Sequence, residues 1–328
     1  MILINLLILL FAVVALLFFA STDKSFNLQR TKLMKAILPY GVIVGHISAY
    51  NSSVFSIAIV GSFIVGVFFF ISAYGLEFKR QNGNIALHGL WGRLLKLVIP
   101  LIVPIVVYIV ALTIRGDDAF QIIIRNVREY QLILPFTWFV IILAIFYAFF
   151  YVLSSPHYIS DKHFLLLLTL SVCVFSAFNF ILFRDSAYTN FSSLCFPAGV
   201  FYRQYESKIE KFLSRKTSYL LCFLVFLATG FAASINHLLP VTILVWSTLI
   251  IMISTLFTVK NNEVLNFFSN ISYEVYVCQG IAYLFIPQHF DKFPPVLHIL
   301  LTIALTIAIA VVCHFVTAPL KRLLFSTR

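Results

Sequence analysis

Charge is what this sequence has least of. Only 11% of its 328 residues are Asp, Glu, Lys or Arg, where an ordinary soluble domain carries about 25%. That is too little polar surface to clothe a compact globule in water, so the soluble enzyme folds are excluded and the bilayer must be the solvent for most of the chain. Cysteine is scarce too. Cys173, Cys195, Cys222, Cys278 and Cys313 all sit in or beside apolar runs with no CxxC spacing, which points away from a disulfide framework and from a thiolate metal site. His157 and His163 flank a cytoplasmic loop with no carboxylate or Cys at metal spacing, so no metal is expected. There is no GxSxG, and with it goes the nucleophile-elbow serine hydrolase. No Gly, Ser or Pro linker divides the chain. No internal repeat is visible, so the inverted-repeat signature of many secondary transporters is missing.

What is abundant is hydrophobic length. Hydrophobic residues make up 61% of the chain, with a mean hydropathy of +1.01. A helix needs about 20 apolar residues to cross the hydrocarbon, and that template fits eleven times. The expected spans are Ile2 to Ala20, Ala36 to Tyr50, Ile57 to Leu76, Leu97 to Ile114, Phe136 to Leu153, Phe164 to Phe183, Ala187 to Tyr202, Ser218 to Ile235, Val241 to Val259, Phe267 to Ile286 and Val296 to Ala318. The net charge of +11 could suggest nucleic acid, but the basic residues fall in short runs between apolar segments instead of on one solvated face. That is a topology pattern. Placing the Asp23 to Lys35 loop in the cytoplasm puts 18 Lys and Arg inside and 5 outside, as the positive-inside rule requires. The sequence therefore predicts an all-α, polytopic membrane helix bundle with its N-terminus outside and its C-terminus cytoplasmic. An N-terminal transmembrane anchor over 1–21 precedes a membrane domain over 22–328.

Ionisable side chains inside such spans are costly and so mark function. His46 lies eleven residues beyond Lys35, about 16 Å along a helix axis and near mid-membrane. A neutral imidazole there could take a proton from a hydroxyl; it could equally be a histidine capped by a backbone carbonyl within the bundle. Arg93 and Lys96, three residues apart on one helical face at the cytoplasmic boundary, could grip the phosphates of an anionic donor or simply anchor the helix to headgroups. Glu274, eight residues into its span, needs a partner at that depth. It could orient a histidine, bind a basic group such as Lys35, belong to the donor site, or be protonated and hydrogen-bonded in the bundle.

Five stretches carry a resemblance. Lys35 and His46 match a basic residue, ten residues and a histidine. Gly66-Val67-Phe68-Phe69-Phe70-Ile71-Ser72-Ala73-Tyr74-Gly75-Leu76 resembles an FFFISGYGL segment, with Ala73 at the second small position. Arg93 to Lys96 resembles an RxxR element, with Lys for the second Arg. Ile271-Ser272-Tyr273-Glu274-Val275-Tyr276-Val277-Cys278-Gln279 looks like an ISYEIYLxH segment, with Gln279 where a histidine often stands, and Trp138-Phe139 with Tyr147 resembles a WFL...FY helix. From about Gln29 to Leu320 the chain thus resembles the acyltransferase-3 family of integral-membrane acyltransferases.

The resemblance implies a ten-helix acyltransferase core behind the anchor and an O-acyltransferase, most simply an O-acetyltransferase, of the bacterial plasma membrane. Acyl-CoA is then the donor substrate and a hydroxyl of a cell-surface or lipid-linked carbohydrate the acceptor, with no bound cofactor, lipids as surroundings and no nucleic-acid partner. On this reading His46 and Glu274 are catalytic, and Lys35, Arg93 and Lys96 bind the donor. Gln279 can hydrogen-bond but cannot exchange a proton at neutral pH. The competing reading is a glycan or lipid transporter whose buried charges line a path.

Overall fold

The structure, a computed structural model, describes residues 26–50, 58–83, 85–155, 160–182, 191–257, 259–260, 262–286 and 294–325. The expected span Ile2 to Ala20 lies outside them. Among the described residues there are twelve helices and no strand. They are α1 (Leu28–Tyr50), α2 (Ala58–Gln81), α3 (Gly89–Arg115), α4 (Ala119–Arg128), α5 (Trp138–Ser154), α6 (Asp161–Leu182), α7 (Cys195–Leu213), α8 (Lys216–Ile235), α9 (Leu239–Ser254), α10 (Glu263–Asn270), α11 (Ser272–Phe285) and α12 (Pro295–Phe325).

Eleven of these, all but α4, fall on the ten later apolar runs, α10 and α11 sharing one. Five, Ile59–Gln81, Gly89–Arg115, Asp161–Leu182, Lys216–Ile235 and Val296–Leu323, are long and apolar enough to cross a membrane by length and composition; the count of eleven rests on the sequence. Two helices correct the expected boundaries. The run Phe267 to Ile286 is broken at Ile271, which separates α10 from α11; polar Asn270 and Ser272 flank the break, and such residues favour helix ends. The span Ala187 to Tyr202 becomes α7, which continues to Leu213 because Glu206, Lys208, Glu210 and Lys211 are strong helix formers once the apolar stretch ends. Short α4 begins on an Asp118 cap that accepts from the Gln121 N–H at 3.1 Å.

The bundle is organised around α2, which packs against α1, α7 and α9, while α11 lies among α1, α3 and α12. Close approach explains two glycines. A Cβ on Gly199 of α7 would stand 2.3 Å from the Phe70 carbonyl of α2, and one on Gly66 would stand 2.3 Å from the Ser247 hydroxyl of α9. Ser247 in turn donates to the Phe63 carbonyl at 2.8 Å. Large apolar side chains such as Val106, Ile114, Val174, Ile181 and Val225 point outward from the bundle, the surface that lipid rather than water would cover. Chain direction then sorts the polar residues. Lys35, Lys79, Arg93, Glu274, His314 and Lys321 all belong to one end of the bundle, and the segment 129–137, Phe191 and Leu239 to the other.

Candidate functional site

His46 lies one turn from the C-terminal end of α1 and lines a cavity of about 500 Å³. The cavity wall also carries Ser62, Val65, Glu129, Gln131, Trp138 and Tyr276. These come from the start of α2, the 129–137 segment, α5 and α11, so the chamber belongs to the end of the bundle opposite Lys35. His46 Nδ1 is 3.0 Å from Gln279 Oε1, and its ring stacks on Phe136 with centroids 4.2 Å apart and planes at 23°. Gln279 Nε2 donates to the Tyr276 carbonyl at 2.8 Å, and the Tyr276 hydroxyl donates to the Phe136 carbonyl at 2.7 Å.

Phe136 pays for its position in backbone strain. Its φ is +65° and that of Tyr130 is +62°, a left-handed conformation that costs a bulky residue of order 1 to 3 kcal/mol and persists only where the surroundings impose it. Here the segment is pinned from several directions. Asn126 donates to the Ile133 carbonyl at 2.9 Å, Thr137 donates to Leu134 at 2.6 Å, and the Trp138 N–H donates to Gln131 Oε1 at 3.1 Å.

The opposite end is cationic. Arg93 of α3 lies close enough to repel the charges of both Lys35 and Lys79, and Lys96 adds to the field at Lys79. Among the described residues Lys35, Lys79 and Arg93 have no carboxylate or hydrogen-bond partner. A neighbouring cation, Arg80, is neutralised instead. It forms paired hydrogen bonds to buried Glu77, both 2.8 Å, and a bond of 2.5 Å to Asp161, tying α2 to α6. The uncompensated group therefore has a composition suited to a polyanion.

Glu274 is apart from His46. It lies five residues before Gln279 on α11, about 7.5 Å of helix rise, and its Oε1 accepts from Lys321 Nζ at 2.6 Å and lies 3.0 Å from His314 Nδ1. Its basic partner is thus Lys321, not Lys35, and the histidine that it contacts is His314. Glu274 and Lys321 line a second cavity of about 280 Å³ with Lys96, Asn270 and Tyr273. The five residues singled out in the sequence consequently divide into His46 in the chamber and Lys35, Arg93, Lys96 and Glu274 at the cationic end.

Sequence reasoning missed Lys79, Lys321 and Phe136 as members of these two groups. Lys79 carried a signal, since it is one turn beyond the Gly66 to Leu76 segment on the same helix. Lys321 lies past Ala318, the expected end of its span. Phe136 had none, because its role depends on a backbone conformation that its identity disfavours.

A family model described as an acyltransferase domain, Acyl_transf_3, matches residues 31–315. No curated protein and no solved structure matches the chain.

Proposed function

The chain belongs to the acyltransferase-3 family of membrane acyltransferases, and from that premise we propose that it moves a short acyl group, most simply acetyl, from cytoplasmic acyl-CoA to a hydroxyl of a cell-surface or lipid-linked carbohydrate. The observation that carries the reading is the division of α1. Its His46 end faces a polar and aromatic chamber, and its Lys35 end joins an uncompensated group of cations. The cations suit the phosphates of the donor. An extended pantetheine arm then brings the thioester toward His46, about 16 Å further along the helix.

In the reaction, His46 Nε2 takes the proton of the acceptor hydroxyl as its oxygen attacks the thioester carbonyl. The tetrahedral intermediate collapses with cleavage of the C–S bond, and the imidazolium returns the proton to the departing thiolate. The products are the acyl ester and free CoA thiol. Aromatic Trp138 and Phe136 with Glu129, Gln131 and Ser62 give the chamber the stacking faces and hydrogen-bonding groups that a sugar requires. Glu274 serves the donor end, where its pairing with Lys321 shapes the cavity that also holds Lys96.

The reading is tested with purified full-length protein in nanodiscs, given acetyl-CoA and the surface glycan of a strain lacking the protein. Release of CoA thiol, with acetyl increments on the glycan by mass spectrometry, is expected. Transport of glycan without consumption of any acyl-CoA would replace it with the transporter reading.

A further inference from the structure

The chamber histidine is held by an arrangement that decides which of its nitrogens is basic. A glutamine amide can present either its oxygen or its nitrogen to a neighbour, and here the choice is made elsewhere. Gln279 Nε2 is engaged with the Tyr276 carbonyl at 2.8 Å. A carbonyl only accepts, so the group facing it must be the NH2, and Oε1 is left facing His46 Nδ1 at 3.0 Å. An amide oxygen also only accepts. Nδ1 must therefore carry the proton, and the lone pair of the neutral ring resides on Nε2. Among the described residues Nε2 has no hydrogen-bond partner, and the side chain lines the chamber.

The ring plane is fixed by a second contact from the same hub. Tyr276 accepts from Gln279 through its carbonyl and donates through its hydroxyl to Phe136, whose ring lies 4.2 Å above the imidazole. Tyr283, one turn after Gln279, meets Phe136 edge-on at 5.6 Å and donates to the Ile43 carbonyl of α1 at 3.1 Å. The strained φ of Phe136 fits this arrangement, since a bulky residue keeps a left-handed backbone only where its surroundings impose it.

We propose that Gln279 is a positioning residue that holds His46 as the Nδ1–H tautomer, with Phe136 fixing the ring plane, so that Nε2 is the base presented to the acceptor hydroxyl. The inference rests on the reading of His46 as general base. It assigns to an amide the task that a carboxylate performs beside many catalytic histidines, and the substitution has a chemical meaning. A carboxylate would stabilise the imidazolium by charge, whereas a neutral amide orients the ring and leaves it a weaker base. Among the described residues, Glu129 shares the chamber wall with His46 from the 129–137 segment, and α11 brings the hydroxyls of Tyr276 and Tyr283 to the same contacts.

The experiment uses full-length protein in nanodiscs labelled with [15N]histidine. The His46 signals, among those of the 8 histidines, are identified by their loss in His46→Ala. The wild type is expected to carry its proton on Nδ1, and Gln279→Leu to lose that preference. In kinetics, Gln279→Leu is expected to lower kcat about tenfold or more with KM for acyl-CoA unchanged. Gln279→Glu should keep the tautomer and move the acid limb of the pH–rate profile upward by about one unit or more. A proton found on Nε2 in the wild type overturns the inference. So does an unchanged kcat and pH profile in Gln279→Leu when His46→Ala is inactive. Full activity in His46→Ala overturns the base reading beneath it, a result distinct from both.

Discussion

Glu274 Oε1 and Lys321 Nζ lie 2.6 Å apart across α11 and α12, with only 1% of the Glu274 side chain exposed against 28% of that of Lys321. The pair is therefore lopsided. Lys321 can extend its ammonium to water if its partner is lost, whereas Glu274 cannot. Lys321→Ala should destabilise the fold by about 1 to 3 kcal/mol, the cost of a buried charged group left short of a partner, and Glu274→Gln by less. The double variant should recover part of the Lys321→Ala loss. Thermal unfolding in detergent measures all three, and equal shifts for the two single variants would contradict the asymmetry.

At the chamber, His46→Ala is expected to lower turnover by roughly 10² to 10⁴ while donor affinity is kept. Steady-state acetylation together with calorimetric titration of CoA separates the two quantities. A loss of affinity equal to the loss of turnover would move His46 to the donor side.

Donor binding should respond to the cationic end instead. Each of Lys35→Ala, Lys79→Ala, Arg93→Ala and Lys96→Ala should weaken acyl-CoA binding by up to about 1.5 to 3 kcal/mol, the worth of a charge-assisted contact. Wild-type affinity should also fall with added salt. Lys79→Ala is the most informative of these, since only the folded chain groups it with Arg93. Unchanged binding in all four correctly inserted variants would return the cations to a topological role.

The junction of α2 and α7 tolerates no side chain at position 199. Gly199→Ala puts a Cβ about 2.3 Å from the Phe70 carbonyl, so the two helices must part, at a cost of about 1 to 3 kcal/mol. A drop in the detergent melting temperature tests this. Gly75→Ala, whose Cβ would meet nothing within 4 Å, is the matched control.

Sidedness follows from the distribution of Lys and Arg. A reporter fused after Arg328 is expected to read cytoplasmic and one inserted beside Asp117 external. Both on the same side would break the assignment.

Helix positions were largely legible, and which distant side chains meet was not. The spacing of Lys35 and His46 gave their separation because both lie on one helix. Gln279 meets His46 across 233 positions of sequence, a contact made only when α11 packs on α1. Glu274 announced its need of a partner through burial alone, but Lys321 lay beyond the span expected to end at Ala318, and α12 in fact runs to Phe325. The α10 to α11 break was hidden because its only mark is the short polar stretch around Ile271, Ser269-Asn270 before it and Ser272 after it, set inside a long run with apolar residues on both sides. A bulky residue at positive φ, as at Phe136, runs against its own conformational preference and is held by bonds within 126–138 together with the Tyr276 hydroxyl of α11.

If donor and acceptor approach opposite ends of α1 as proposed, neither obstructs the other's entry. Donor and acceptor are then expected to bind together, in either order, with the acyl group passing directly between them and no acylated resting form of the protein. The kinetic signature of that geometry is a family of intersecting double-reciprocal lines, with an unreactive acceptor analogue inhibiting non-competitively against acyl-CoA. Exchange of label between acetyl-CoA and free CoA should not occur unless the sugar is present. The spacing of one lysine and one histidine on a single helix thus becomes a statement about the order of events in a catalytic cycle.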